Sequence, residues 1–460
     1  MRQINLTEGN ITGNLLLFAL PMMAGNILQQ CYNIADTLIV GRYLGANALA
    51  AVGSSYTLMT FLTSILLGMC MGSGAVFSIC FGQQNEKRLK ESMLHSFCLI
   101  AGTALILNLL VYGALSVILR FLRVPTEVCA DMRAYLQVIF AGITATFLYN
   151  YFAALLRAVG NSVVPLIFLG VSALTNIILD LFFILILNLG VEGAALATVI
   201  AQYLSGAGLM LYTLMSFPQW RIRRQELHFR RTAFREIAGI SFLTCAQQSI
   251  MNFGILMVQG LVNSFGTVIM AAFAAAVKID SFAYMPVQDF GNAFSTFIAQ
   301  NYGAGESERI RKGVRSAVLT SFGFCIAVSA LVFCFAPRLM GIFVRAEETK
   351  IIAAGVEYLR IEGVFYFGIG LLFLLYGYYR AVKMPGMSVI LTVISLGTRV
   401  ALAYVLSAIP AVGVKGIWAA VPIGWALADV TGVVYYRKMQ KKRQTLKIQI
   451  NLEEKTGIKH

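Results

Sequence analysis

The chain has 460 residues, of which 58% are hydrophobic and only 12% are charged. Soluble domains average about 25% charged residues, so this composition excludes an ordinary soluble enzyme or binding module and indicates an integral membrane protein. The formal net charge of +15 does not predict a nucleic-acid partner, because the basic residues lie in the connections between apolar segments.

Twelve apolar segments are long enough to cross a bilayer as α-helices, which takes roughly 20 residues each. The predicted fold is therefore an all-α polytopic membrane protein with twelve transmembrane helices in two pseudo-symmetric six-helix bundles. No charged residue occurs between Arg42 and Glu86 or between Glu236 and Lys278. The predicted helices are, in chain order, 14–40, 48–81, 92–119, 133–157, 163–187, 191–216, 236–264, 267–301, 313–336, 352–380, 386–408 and 414–437.

Lysine and arginine are distributed unevenly among the connections. Most of the 36 basic residues fall in alternate connections and in the tail that begins at Arg437. The positive-inside rule places that set in the cytoplasm, which predicts a multi-pass protein of the plasma (inner) membrane with both termini cytoplasmic. The polar N-terminus and the long first apolar segment predict no cleavable signal peptide.

The two halves of the chain resemble each other. Three short matches recur at one offset of 223 residues: YL at 135 and 358, RA at 157 and 380, and GVxG at 190 and 413. We therefore predict an N-terminal lobe (1–218), a basic cytoplasmic linker (219–235), a C-terminal lobe (236–437) and a basic cytoplasmic tail (438–460). Transporters built from such repeats carry substrate between the halves, which favours a carrier over a single-chain channel.

Two carboxylates are stranded inside apolar segments, Asp36 in the first and Asp180 in the fifth. Ionisable groups at bilayer depth are costly and usually mark an ion or proton pathway. Each has a polar residue four positions earlier, Tyr32 and Asn176, which lies on the same helical face. Two such carboxylates in one poorly hydrated site are costly to keep ionised together, so we expect at least one proton to be held near neutral pH. The alternative is a buried structural role.

Several segments resemble the multidrug and toxic compound extrusion (MATE) family, over nearly the whole chain from about residue 10 to residue 437. They are LP at 20–21, DT at 36–37, GRYLGANALAAVG at 41–53, LLRAVGN at 155–161, and the stretch from YMP at 284 to QNYGAG ending at 305. The resemblance implies a twelve-helix carrier that exports cationic or aromatic compounds in exchange for H⁺ or Na⁺. The same superfamily includes flippases of lipid-linked oligosaccharides.

The resemblance also implies an ion site, of the kind found in the prokaryotic branch with an acidic N-terminal lobe. Its residues would be Asp36, Asn176, Asp180 and Thr198, with Tyr32 lining the same pocket, and either H⁺ or Na⁺ could bind there. Some relatives carry a glutamate midway along the seventh helix, where this chain has Gln247 and Gln248. The resemblance therefore does not carry over a C-terminal site of that kind.

Other polar residues within the apolar segments have both functional and structural interpretations. Asp289, near Asn292 on the eighth helix, could face a cationic substrate or serve helix packing, and Gln247 and Gln248 could line the same pathway. Lys278 and Asp280 are interpreted as mainly structural. Arg399 is expected to need an acidic partner such as Glu362 or Asp280.

The predicted function is antiport without an organic cofactor, by a monomer in contact with membrane lipids. The main rival is a flippase, whose cavity would be expected to carry Arg and Lys; here the charges inside the apolar segments are mostly Asp. An enzyme is disfavoured, because the three histidines form no HExxH motif and no GxSxG or P-loop sequence occurs.

Overall fold

A computed structural model describes residues 3–121, 126–222 and 229–456, and all of its regular elements in these ranges are helices. Residues 223–228 of the predicted linker and the last four residues of the predicted tail lie outside the described ranges. The helices are α1 Ile11–Tyr43, α2 Ala46–Gly82, α3 Glu86–Phe121, α4 Thr126–Ile139, α5 Ile143–Ala158, α6 Val163–Leu181, α7 Gly190–Ser216, α8 Arg231–Asn263, α9 Thr267–Gly303, α10 Ser307–Phe343, α11 Thr349–Gly363, α12 Tyr366–Ala381, α13 Pro385–Ser407 and α14 Val414–Thr456.

Within the described residues, eleven candidate spans are long and apolar enough to cross a membrane, and α11 with α12 makes a twelfth. The fourth span joins α4 to α5, and the predicted fold class is thus confirmed. The observed helix boundaries differ most from the predicted ones where a helix continues past its apolar segment. The last helix, for example, runs on to Thr456 because Lys, Gln and Arg favour helix as well as water.

Two spans that the sequence presents as continuous are interrupted. The fourth span tightens to a 3₁₀ turn at Phe140–Gly142. Side chains from neighbouring helices hydrogen-bond to the carbonyls of this turn: Asn108 donates to the Phe140 carbonyl at 2.9 Å, and Tyr203 donates to the Ala141 carbonyl at 3.0 Å. The tenth bends by 52° between α11 and α12. Breaks of this kind are tolerated in a membrane where other groups satisfy the freed backbone.

The two halves meet closely at one end of the bundle, which we call the closed end. There Gly82, the last residue of α2, lies against the backbone carbonyl of Gln300, and Gly303, the last residue of α9, lies against that of Ile79. A Cβ on either glycine would overlap the opposite carbonyl oxygen. The two contacts are reciprocal, as expected for pseudo-symmetric halves.

The α2–α8 interface extends this close packing. A Cβ on Gly68 would come within 2.6 Å of the Cα of Cys245, and one on Gly72 within 2.7 Å of the Cα of Ser241. The sequence motif Gly68-x-x-x-Gly72 therefore marks a helix-packing contact, as small residues four apart commonly do in membranes.

Ion pairs and an N-terminal strap complete the closed end. Glu236 of α8 pairs with Arg88 of α3 at 2.9 Å and also with Lys383. The strap, residues 4–9, joins both halves: the Ile4 N–H donates to the Gly160 carbonyl at 3.0 Å, while Arg309 of α10 donates to the Gly9 carbonyl at 2.9 Å.

Candidate ion site and central cavity

The two predicted carboxylates lie together in the N-terminal half. Asp36 is carried by α1 and Asp180 by the last turn of α6, and their carboxyl groups lie within hydrogen-bonding range of each other if one is protonated. Asp180 is fully buried, whereas Asp36 is partly exposed. Neither takes part in a salt bridge within the described residues. The pair therefore carries uncompensated negative charge when both groups are ionised.

Asn176 and Thr198 connect this pair to α7. The Asn176 amide nitrogen donates to the Thr198 hydroxyl at 3.2 Å, and that hydroxyl donates to the Ala194 carbonyl at 3.1 Å. The first bond orients the Asn176 side-chain oxygen as a free acceptor.

Four buried acceptor oxygens at this site find no hydrogen-bond donor among the described residues: Oδ1 of Asp36, Oδ1 of Asn176, and both carboxylate oxygens of Asp180. Buried polar atoms in proteins are nearly always satisfied, so a cluster of acceptors without protein donors is suited to receive a proton or an ion. Carboxylate, amide and hydroxyl oxygens are ligands for hard cations. The donor set thus fits H⁺ or a small alkali cation.

The helix that carries Asp180 changes its pitch directly after it. Residues Phe182–Ile186 form a π-helical turn, in which the Leu187 N–H bonds to the Phe182 carbonyl at 3.1 Å. Such turns occur frequently at functional sites because they displace the helix from regular geometry. The sequence offered no signal for this turn.

Tyr32 lies close enough to Asp36, Tyr56 and Tyr149 to interact with them electrostatically. A second tyrosine, Tyr135 of α4, was missed from the sequence. It is 7% exposed and close enough to Asp36 and Asp180 to interact with both. Its repeat partner, Tyr358, could have drawn attention to it, because this tyrosine is among the few residues that recur in both halves.

We expect the substitution Tyr135→Phe to weaken ion binding by several-fold, since it removes a hydroxyl that is close enough to interact with both carboxyls while keeping the ring. The measurement is the ion concentration that half-saturates transport in vesicles. Tyr112→Phe is the matched control, because its hydroxyl bonds a backbone carbonyl of α4 on an exposed face. Equal half-saturation in wild type and Tyr135→Phe would exclude a role for this hydroxyl.

The predicted pathway residues separate into two places. Gln247, Gln248 and Asn292 line one small cavity between α8, α9 and α12, together with Met71, Gln288, Phe373, Tyr376 and Arg380. Asp289 instead bonds to α1, accepting from the Asn26 amide at 2.6 Å. Asp289 thus bonds across to α1 while Asn292 lines the cavity, and a role for these four residues in a substrate pathway stays a prediction.

Arg380 is the functional candidate that sequence analysis left unassigned in this cavity. Its guanidinium is buried and donates to the Asn292 side chain at 3.0 Å and to Ser295 at 3.2 Å. Arg157, its repeat partner, has a buried Nε atom without a bonded acceptor in the described residues. The recurrence of the RA pair in both halves was the signal for these two arginines.

The other intramembrane charges that were singled out in the sequence are also located. Lys278 lies over the Phe343 ring, 6.0 Å from its centroid. Asp280 accepts hydrogen bonds from Tyr358 and Tyr366. Arg399 is close enough to Asp280 and Glu362 to interact electrostatically, but it forms no direct ion pair with either, so the expected partnership is only indirect.

Comparison with known proteins decides the family. The MatE family model matches residues 21–182 and 240–405, one segment in each half. The chain belongs to the MatE family. The resemblance predicted from the sequence is confirmed, and this is a multi-pass membrane protein of a transporter family rather than an enzyme.

Similar MatE proteins cover nearly the whole chain. The probable multidrug resistance protein YpnP of Bacillus subtilis is 27% identical, covering 95% of this chain and 97% of its own length. The probable multidrug resistance protein NorM of Thermotoga maritima is 26% identical and covers 89% of this chain and 88% of its own. A crystal structure of a MATE protein in complex with MaL6 superimposes with a TM-score of 0.90, covering 97% of this chain and all of that one, at 21% identity.

Proposed function

We propose that this chain is a secondary active antiporter that exports cationic or aromatic small molecules in exchange for H⁺ or Na⁺. The observation that carries the proposal is the set of four buried acceptor oxygens without donors around Asp36 and Asp180. A permanent structural role would leave these oxygens satisfied by fixed donors or by a basic side chain. An exchangeable cation explains both the missing donors and the missing counter-charge.

Coupling follows from the positions of the ligands. Asp36 belongs to α1, which also contacts α9 of the other half, whereas Asp180 and Asn176 belong to α6. Binding a cation draws α1 towards α6, and releasing it restores repulsion between the two carboxylates. The ion therefore biases the position of a helix that touches both lobes, which is how a ligand shifts an equilibrium between two states.

The substrate class is supported by the charges between the lobes. Asp289 is 5% exposed and has an amide rather than a basic side chain as its bonded partner, so a cationic compound could replace that partner. Aromatic rings such as Tyr376 and Phe373 at the central cavity could bind apolar cations. The names of the relatives above agree with a drug-like cargo.

Arg380 favours a second candidate. A buried guanidinium among amide side chains suits an anionic head group, as a flippase of lipid or lipid-linked oligosaccharide would require. Most buried charges in the described residues are nevertheless acidic, namely Asp180, Asp280, Asp289, Glu362 and Asp429. Cation export therefore remains the first proposal, and transport by a monomer of the plasma membrane with cytoplasmic termini is part of it.

The deciding experiment uses the purified protein in lipid vesicles loaded with a cationic dye. A pH gradient and a Na⁺ gradient are imposed separately, each with the membrane potential held at zero. Dye movement driven by either gradient supports antiport and identifies the ion. If neither gradient moves dye, and a fluorescent lipid exchanges between leaflets faster than in protein-free vesicles, the flippase proposal replaces the antiport proposal.

A further inference from the structure

His95 of α3 is a buried imidazole whose two nitrogen atoms both bond to backbone groups near the closed end. The side chain is 1% exposed, and the Arg230 backbone N–H donates to its Nε2 atom at 3.1 Å. Because a backbone N–H can only donate, Nε2 is the unprotonated nitrogen. Nδ1 therefore carries the hydrogen and donates to the Glu91 carbonyl at 2.5 Å. The two bonds fix one neutral tautomer of His95.

The bond to Arg230 fastens the beginning of α8 to α3. Arg230 is the residue that precedes α8, and its own side chain makes no capping bond to the helix. Glu236, less than two turns further along, pairs with Arg88 of the other half at 2.9 Å and also with Lys383. His95 thus joins the two halves directly, and it positions the helix that carries the central acid of the closed end.

Protonation of His95 is incompatible with this arrangement. An imidazolium has a hydrogen on both nitrogens, so the buried Arg230 N–H would lose its acceptor. The new positive charge would also face the N-terminus of α8, which is the positive end of the helix dipole. Glu91 offers another partner, because its carboxylate pairs with Arg230 at 3.3 Å and lies one turn from His95 on the same helix. A proton therefore favours a Glu91–His95 pair over the Glu91–Arg230 pair.

We propose that His95 is a pH-sensitive latch between the two halves, neutral while the closed end is shut and protonated when the beginning of α8 is released. The shut structure binds this proton less readily than the released one, so acidification shifts the equilibrium towards release, because the coupling between two binding events or states is reciprocal. Imidazole is the side chain whose charge ordinarily changes between about pH 5 and 8. His95 acts as a positioning residue and contacts neither ion nor cargo.

The surroundings of His95 give a proton access and are otherwise neutral. The rings of Phe229 and Phe234 pack against the imidazole, with centroids 5.0 and 6.2 Å from its own. α5 presents the Tyr151 hydroxyl to this turn of α3, where it bonds to the Met93 carbonyl, and α2 presents the Cys80 thiol. A surface cavity of about 350 Å³ lies beside the site, and its charged lining residues are Lys87, Arg88, Glu91, Arg230 and Glu236.

The test is hydrogen–deuterium exchange in the first turn of α8, measured by mass spectrometry on the full chain in lipid nanodiscs. The background is D36N/D180N, so the result does not depend on the proposed antiport. H95Q is the comparison, because glutamine offers an amide oxygen to the Arg230 N–H but takes up no proton. Comparing the two proteins at the same pH cancels the intrinsic pH dependence of exchange. We expect the protein with His95 to exchange about 5- to 10-fold faster than H95Q at about pH 5.5, and equally fast at about pH 8.

H228Q is the matched control, since it removes the other histidine of this stretch of sequence and should keep the pH response in full. Nitrogen-15 spectra give a second measurement that does not need H95Q to fold, with the signals of His228 and His460 assigned from H228Q and H460Q. They should show His95 as the Nδ1–H tautomer at about pH 8 and as imidazolium at about pH 5.5. An Nε2–H tautomer, a His95 that stays neutral in acid, or an exchange ratio independent of pH would overturn the proposal.

Discussion

Replacing Asp36 or Asp180 with Asn is expected to reduce gradient-driven dye transport by about 10- to 100-fold, the scale on which ion sites lose affinity when their ligand environment is broken. Either substitution keeps the size of the side chain but removes an ionisable oxygen that lacks a donor among the described residues. The measurement is the initial rate in vesicles of matched protein content, under the gradient found to drive transport.

Glu192→Gln is the control for this experiment. Glu192 is an exposed acid in the first turn of α7, the helix that also carries Thr198, and it lies outside the oxygen cluster. Its transport rate should match that of the wild type. Full transport by D36N or D180N, with normal amounts of protein in the membrane, would refute coupling at this pair.

Substituting alanine for Gly82 or Gly303 is expected to open the closed end. Each new methyl group would overlap a backbone carbonyl of the opposite half, and backbone cannot move aside as a flexible side chain does. Overpacking of this kind costs about 1–3 kcal/mol. Because the cost falls only on the state in which this end is closed, the equilibrium should shift about 5- to 150-fold towards the alternative state.

Thiol labelling can report that shift. Cys80 is fully buried near the closed end, close enough to Arg88, Glu236 and Lys383 to interact electrostatically with them. In a variant that retains Cys80 alone, G82A and G303A should accelerate its reaction with a maleimide. Gly102→Ala is the control, because a Cβ there meets no atom within 4 Å. Labelling as slow as in the unsubstituted protein would show that the glycine contacts do not hold this end shut.

The sequence predicted the twelve spans because membrane insertion imposes a strong and local requirement, a long apolar segment with few charges. It also directed attention to Asp36 and Asp180, since a carboxylate is conspicuous in such a segment. The structure places these two together with Asn176 and Thr198, although helix order along the chain says nothing of itself about which helices are neighbours. Only the family resemblance predicted that these four residues would lie together.

What the sequence did not predict depends on contacts between helices. The bend between α11 and α12 is not marked by a proline, and it is held by hydrogen bonds that Tyr358 and Tyr366 donate to Asp280 of a different helix. Tyr135 was missed because a tyrosine in a membrane helix is equally compatible with an interfacial belt. Arg380 was not singled out, because a basic residue at the end of a span is usually a cytoplasmic loop charge, yet it lies buried beside Asn292.

The N-terminal strap has a consequence for how this protein is handled in the laboratory. Backbone carbonyls of Leu6, Glu8 and Gly9 all accept from Arg309, and the Leu6 side chain is fully buried in the C-terminal half. When this end separates, water must replace those donors, so release of the strap is a hydration step. A fluorescent or affinity tag fused before Met1 would hinder movement of the strap and so alter the rate at which the closed end opens. A tag after His460 leaves the hydrogen bonds of the strap untouched.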